Sequence, residues 1–146
     1  MEMRLGRRIA FDYGQVRIGV AVSDQTGLIA TPIATLKNGD EGLKAALEDL
    51  FQEYEPIYIV VGEPRHLSGA QSQTMSKMSE FLELLSSLTQ APLHLVDERM
   101  STLSAARTLR DTGHNAKSSK DKIDAMAAVA ILESALHRER VVGSLD

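Results

Sequence analysis

The sequence predicts an α/β fold: a five-stranded mixed sheet with helices on both faces. Three observations predict it. The N-terminal part of the chain alternates apolar and polar residues with period two, as half-buried strands do. After Asn38-Gly39-Asp40 the period changes to that of an amphipathic helix. Two short apolar runs then each follow a helical segment, as strands buried on both faces do. The order reads β-β-β-α-β-α-β-α-α.

Residues 8–12 form the first strand, with Ile9 and Phe11 alternating with Ala10 and Asp12, and Tyr13-Gly14 turns the chain. Residues 16–23 form the second. Val16, Ile18, Val20 and Val22 share one face, and Arg17, Gly19, Ala21 and Ser23 the other. After the turn Asp24-Gln25-Thr26-Gly27, residues 28–36 form a third strand. Pro32 marks it as an edge, because proline donates no ladder hydrogen bond. Three strands joined by tight turns make an antiparallel meander.

Leu43, Leu47, Leu50, Phe51 and Tyr54 fall at helical spacing, with Glu48, Asp49 and Glu53 opposite, and Pro56 stops this helix. Residues 57–62 are the fourth strand. A polar loop, residues 63–69, leads to a second helix with the buried stripe Met75, Met78, Leu82 and Leu85. Residues 93–96 are the fifth strand, closed by Asp97-Glu98-Arg99. Ser101 or Thr102 caps a third helix that ends near Thr112. Residues 113–119 read as a polar linker, and residues 120–140 as the last helix. Helix-borne connections between strands 3 and 4 and between strands 4 and 5 imply parallel pairing with right-handed crossovers.

The chain has 146 residues, which suits one domain over 1–146. It has no cysteine, which excludes disulfides, thiolate zinc sites and a cysteine nucleophile. Its start is polar and no apolar run nears membrane-spanning length, so neither a signal peptide nor a transmembrane helix is expected. A net charge of −4 argues against a general nucleic-acid coat protein.

Three acids stand where a core would not put them. Asp12 ends the first strand before a glycine turn. Glu98 stands just beyond the fifth strand. Asp124 lies at the edge of an apolar stripe formed by Ile123, Ala127, Ala130 and Ile131 in the last helix. Its small neighbours Ala125, Ala127 and Ala128 allow that helix to approach the sheet. Ligands of α/β sheets gather at the carboxyl ends of parallel strands. Two readings stay open on the residues alone. In one, Asp12 caps a turn, Glu98 pairs with Arg99 and Asp124 is solvated. In the other, the three converge, and a hard divalent cation such as Mg²⁺ offsets their repulsion.

Several segments together carry a resemblance. They are Asp12-Tyr13-Gly14 with Arg17-Ile18-Gly19-Val20-Ala21 and Ser23-Asp24; Val60-Val61-Gly62-Glu63-Pro64 with Gly69; Asp97-Glu98-Arg99 with Ser101-Thr102; and Lys120 with Ile123-Asp124-Ala127-Ala128. In this order they resemble the YqgF/RuvX family of the RNase H-like superfamily. The resemblance covers nearly the whole chain. It implies an RNase H-like fold and metal-dependent phosphodiester hydrolysis with Mg²⁺ or Mn²⁺. It places the metal ligands and catalytic acids at Asp12, Glu98 and Asp124, with Asp97 as second choice. It also implies a role in bacteria: nuclease processing of the 5′ end of precursor 16S ribosomal RNA. The family resembles Holliday junction resolvases in fold, so branched DNA is the alternative substrate. A third reading is a nucleic-acid-binding module without useful catalysis. Glu63 departs from the family's usual apolar residue between Gly62 and Pro64.

Charge is uneven. Residues 38–62 carry six acids against Lys44, whereas residues 99–123 carry six bases against Asp111 and Asp121. The basic segment flanks two of the three expected ligands. Arg17, Arg99, Ser101, Thr102 and Lys120 are therefore the expected phosphate contacts. The plainer alternatives are an N-cap for Ser101 and a ligand-free polar connection, residues 117–120, around Lys120. Of the four histidines, His66 lies in a loop near the expected site and is the one to test, and the others read as structural or surface residues. Three Tyr and three Phe are too few for a stacking platform, so backbone and shape recognition is expected. The expected partners are nucleic acid and ribosomal precursor particles, with no membrane. The expected setting is the cytoplasm, as a monomer or weak homodimer.

Overall fold

The computed structural model describes residues 4–63, 71–97, 116–143 and 145. Its elements are β1 (Arg8–Tyr13), β2 (Arg17–Ser23), β3 (Ala30–Lys37), α1 (Leu43–Tyr54), β4 (Tyr58–Glu63), α2 (Gln71–Leu88), β5 (Leu93–Asp97) and α3 (Ala116–Val142). The five strands form one sheet in the order β3-β2-β1-β4-β5. β1 pairs antiparallel with β2, and β2 with β3, as the meander predicts. β4 lies parallel to β1 rather than beside β3, and β5 lies parallel to β4. The sheet is mixed, with β1 at its centre.

Pro32 does sit on an edge strand. Val20 pairs with Ala34 and Ala21 with Pro32, so Ile33 is the extra residue of a bulge. α1 ends where Glu55 turns left-handed and donates its N–H to the Phe51 carbonyl at 3.0 Å; Pro56 follows and cannot continue the helix.

Strand alternation divides the interior in two. Ile9, Phe11, Ile18, Val20, Ile59 and Val61 face α1 and α2, meeting Leu47, Phe51, Met78, Phe81 and Leu85. Phe11 sets its ring edge-on to Phe51 and Phe81, with centroids 6.2 and 5.7 Å away. Phe81, absent from the predicted stripe, is buried, whereas Leu82 is only half-buried. The other face is built from smaller side chains. Ala10, Ala21, Tyr58 and Val60 meet Ala128, Ile131, Leu132, Ala135 and Leu136 of α3.

The structure corrects two expectations about the last helix. α3 begins at Ala116, so residues 116–119 are helical and not linker. Its buried positions also run through Ala128, Ile131, Leu132 and Ala135, which puts Asp124 in line with the stripe, not at its edge. The helix expected near residues 101–112 lies outside the described residues. Among the described residues, no helix is long and apolar enough to cross a membrane.

The C-terminal half of α3 is pinned by a buried polar cluster. Arg8 is fully buried and its Nη2 meets Glu139 Oε2 at 2.9 Å. The Tyr58 hydroxyl donates to Glu139 Oε1 at 2.7 Å. Arg8 also donates to the carbonyls of Gly6 at 2.6 Å and Arg4 at 2.7 Å. Burial, reinforced by the Glu139 carboxylate, pushes the Tyr58 phenol well above its ordinary pKa, so it stays a proton donor.

Candidate active site

The carboxyl ends of β1, β4 and β5 stop together, because the three strands run parallel in register. Asp12 lies at that end of β1. It is half-buried, and alternation places it with Ala10 on the α3 face. Its cross-strand partner is Gly19. A Cβ at Gly19 would lie 2.0 Å from the carbonyl oxygen of Asp124 and 2.4 Å from its carbonyl carbon. No residue with a side chain fits there. The helix backbone therefore rests directly on the strand, and it does so at Asp124. Gly19 thus brings Asp12 and Asp124, 112 positions apart in the sequence, to one place.

Arg17 shares the face of Gly19, two residues earlier on β2. Its Nε donates to Asp124 Oδ2 at 2.6 Å, and both side chains are partly exposed (31% and 20%). The β1–β2 turn that delivers Arg17 is tight: a Cβ at Gly14 would lie 2.4 Å from the Arg17 carbonyl oxygen. Asn38 closes the turn from β3, donating its side-chain N–H to the Gly14 carbonyl at 2.7 Å.

The structure thus brings together three of the predicted site residues: Asp12, Arg17 and Asp124. Lys120 lies about one turn before Asp124 on α3. Asp97 ends β5 with its Cα opposite that of Glu63. Glu98, Arg99, Ser101, Thr102 and His66 lie outside the described residues. Among the described residues, no trio of His, Asp and Glu gathers at metal-binding distance. Sequence reasoning missed the Arg17–Asp124 pair and the part played by Gly19. The signal for the second was a glycine inside a β-branched strand, which often marks close backbone approach.

On the other side of the sheet a cavity of about 330 Å³ opens by the same turn. It is floored by Tyr13, Leu43 and Phe81 and edged by Lys77 and Glu80. It faces away from Asp12 and Asp124.

This sheet order, with the long helix across one face, defines an RNase H-like α/β protein. Two solved structures share the fold. "T. thermophilus RuvC in complex with Holliday junction substrate" aligns with TM-score 0.63 at 13% identity, covering 92% of this chain and 96% of that one. "Thermus thermophilus RuvC structure" aligns with TM-score 0.56 at 14% identity over the same shares. The chain belongs to the RuvX family, whose description is "Holliday junction resolvase" and whose pattern matches residues 6–138. Relatives named "Putative pre-16S rRNA nuclease" include one from Streptomyces coelicolor, 45% identical over 97% of this chain and 86% of the relative. Another, from Streptomyces avermitilis, is 43% identical over 98% of this chain and 93% of the relative.

Proposed function

We propose that this chain is a divalent-metal-dependent nuclease, one domain over 1–146, that trims the 5′ end of precursor 16S ribosomal RNA in the cytoplasm. The observation that supports the reading is at Gly19, which pairs with Asp12 across the sheet and packs against the backbone of Asp124. It occurs in a chain 45% identical to a relative named for pre-16S ribosomal RNA.

The donor set fits a hard cation. Asp12 and Asp124 offer carboxylate oxygens from two separate elements, the chemistry Mg²⁺ and Mn²⁺ select. With Glu98, which follows β5 directly, they would hold the metal. One or two such ions, if bound there, would supply an activated water and stabilisation of the leaving oxygen. The protein supplies placement. β1, central in the sheet, fixes Asp12. α3, seated on Gly19, fixes Asp124. Arg17, Arg99 and Lys120 bind the phosphates of the strand, and Ser101 and Thr102 add hydroxyl and N–H donors. These contacts position the backbone and read no base. The protein acts on ribosomal precursor particles as a monomer or weak homodimer.

The family's description as a Holliday junction resolvase supports a second substrate, branched DNA. One experiment separates the readings. Purified protein with Mn²⁺ is offered 5′-extended 16S precursor RNA, a four-way DNA junction and single strands. Cleavage of the RNA alone is expected, with Asp12→Asn inactive yet folded. Cleavage confined to the junction selects the second reading. Full activity in Asp12→Asn refutes the metal-dependent mechanism.

A further inference from the structure

Arg17 and Asp124 answer to different expected roles, one for phosphate and one for metal, yet they are bonded to each other. Resting on the nuclease reading above, we propose that Arg17 is an exchangeable counter-ion. In the metal-free protein it holds the Asp124 carboxylate. When Asp124 takes up a divalent cation it releases Arg17, and the guanidinium turns to a phosphate oxygen of the substrate.

Four observations support this. First, the contact engages the carboxylate proposed to hold the metal: Arg17 Nε donates to Asp124 Oδ2 at 2.6 Å. Second, it runs through Nε. The terminal nitrogens of Arg17, which take no part in that bond, are a fork that fits a phosphate. Third, the pair is partly exposed, at 31% and 20%. Ion pairs in contact with water are weak and exchange readily, unlike the fully buried Arg8–Glu139 pair at the far end of the same helix. Fourth, the charges suit the exchange. A divalent cation brings two positive charges to a carboxylate that Arg17 answers with one, so the cation is the stronger partner. The released guanidinium keeps its positive charge, which a phosphodiester oxygen answers.

Arg17 is then a positioning residue that couples metal to substrate. Without metal, Asp124 keeps it from the phosphate and the strand is bound weakly. With metal, the same side chain joins the phosphate contacts. The two ligands cooperate without any movement of the fold.

The test separates metal binding from cleavage. Mn²⁺ is titrated into chelator-treated wild type, Arg17→Gln and Arg17→Lys, and free Mn²⁺ is read by electron paramagnetic resonance. Arg17→Gln removes the competitor and is expected to bind Mn²⁺ more tightly, by on the order of fivefold for a pair this exposed. Arg17→Lys keeps the charge and is expected to stay within about twofold of wild type, since Lys offers a point charge. Binding of an oligoribonucleotide is then measured against salt, with Ca²⁺ present or with chelator. The wild type is expected to lose one phosphate contact on Arg17→Gln, a change of about 0.7 in the log–log salt slope, with Ca²⁺ only. Equal Mn²⁺ affinity in wild type and Arg17→Gln, or an equal slope change with and without Ca²⁺, overturns the exchange while leaving the nuclease reading standing. Mn²⁺ binding by none of the three proteins overturns both. Melting curves confirm that each variant is folded; should Arg17→Gln fail to fold, Arg17→Met replaces it under the same criteria.

Discussion

Replacing Gly19 by alanine tests how the candidate site is assembled. The new Cβ would lie 2.0 Å from the Asp124 carbonyl oxygen, 2.4 Å from its carbon and 3.1 Å from the Ala125 nitrogen. All three are backbone atoms, so no side chain can rotate away. An ordinary carbon–oxygen contact is roughly 3.3–3.6 Å, so α3 must retreat by about 1.3 Å at Asp124. Overpacking of this kind costs about 1–3 kcal/mol. The substitution also recovers roughly 0.5–1 kcal/mol of backbone entropy that glycine loses on folding. The net loss of stability is therefore modest, about 0–2.5 kcal/mol. Activity is affected far more, because a displacement near 1 Å in a reacting site lowers the rate by about 100-fold. Turnover of precursor RNA at saturating Mn²⁺, set beside urea unfolding, measures both. A folded Gly19→Ala protein that keeps wild-type turnover and Mn²⁺ affinity would show that the helix does not deliver Asp124 to the site.

Two further outcomes follow from parts remote from that contact. Glu139→Ala strands the fully buried Arg8, and breaking such a pair costs roughly 3–5 kcal/mol; the carbonyls around Arg8 put the expected loss near the low end, and a change in unfolding free energy below about 1 kcal/mol contradicts this account. Asp24, in the β2–β3 turn, accepts hydrogen bonds from the Thr26 hydroxyl and the N–H groups of Ile29 and Leu28. These lower its pKa from 3.8 to about 2, with the Thr26 bond the largest cause. A lowered folded value means that its contribution to stability is present above pH 3.8 and fades as the pH falls through 2. Carboxyl resonances followed by NMR should titrate there, and Thr26→Val should move the midpoint upward; an unmoved midpoint excludes the hydroxyl as the cause.

Local pattern made most of the fold legible. The clean alternation in β2 placed Arg17, Gly19 and Ala21 on one face, and they occupy one face. Pro32 announced an edge. α1 was readable at both ends, since its apolar positions and Pro56 agree. What escaped was decided between distant residues. Arg8 looked like part of a polar start, because its carboxylate partner stands 131 positions away. The phase of α3 was read one position off, because Ala127 through Leu132 are all buried and a helix apolar on most sides has no sharp stripe. Its rotation is held by long-range contacts, with Gly19 at Asp124 and with Arg8 and Tyr58 at Glu139, which no periodicity records. Residues 116–119 have the Ser and Lys composition of a loop, yet they are the first residues of α3. Of the candidate site, the sequence named Asp12 and Asp124 as acids expected to converge, but the part played by Gly19, which pairs with one and packs on the backbone of the other, was not visible.

The buried cluster at Glu139 also sets an angular tolerance. Asp124 and Glu139 stand fifteen residues apart on α3, about 22 Å along the axis at 1.5 Å per residue. The helix is thus a rigid arm, held by this cluster towards its C-terminal end and carrying Asp124, the proposed metal ligand, about four turns earlier. Reacting geometries tolerate errors of roughly 0.5 Å, which over that length is a tilt of little more than about one degree. An apolar contact at the clamp would let the helix roll or slide at small cost. Directed hydrogen bonds from Arg8 and Tyr58 to the two oxygens of one carboxylate do not, so aiming the arm is the service this distant ion pair performs.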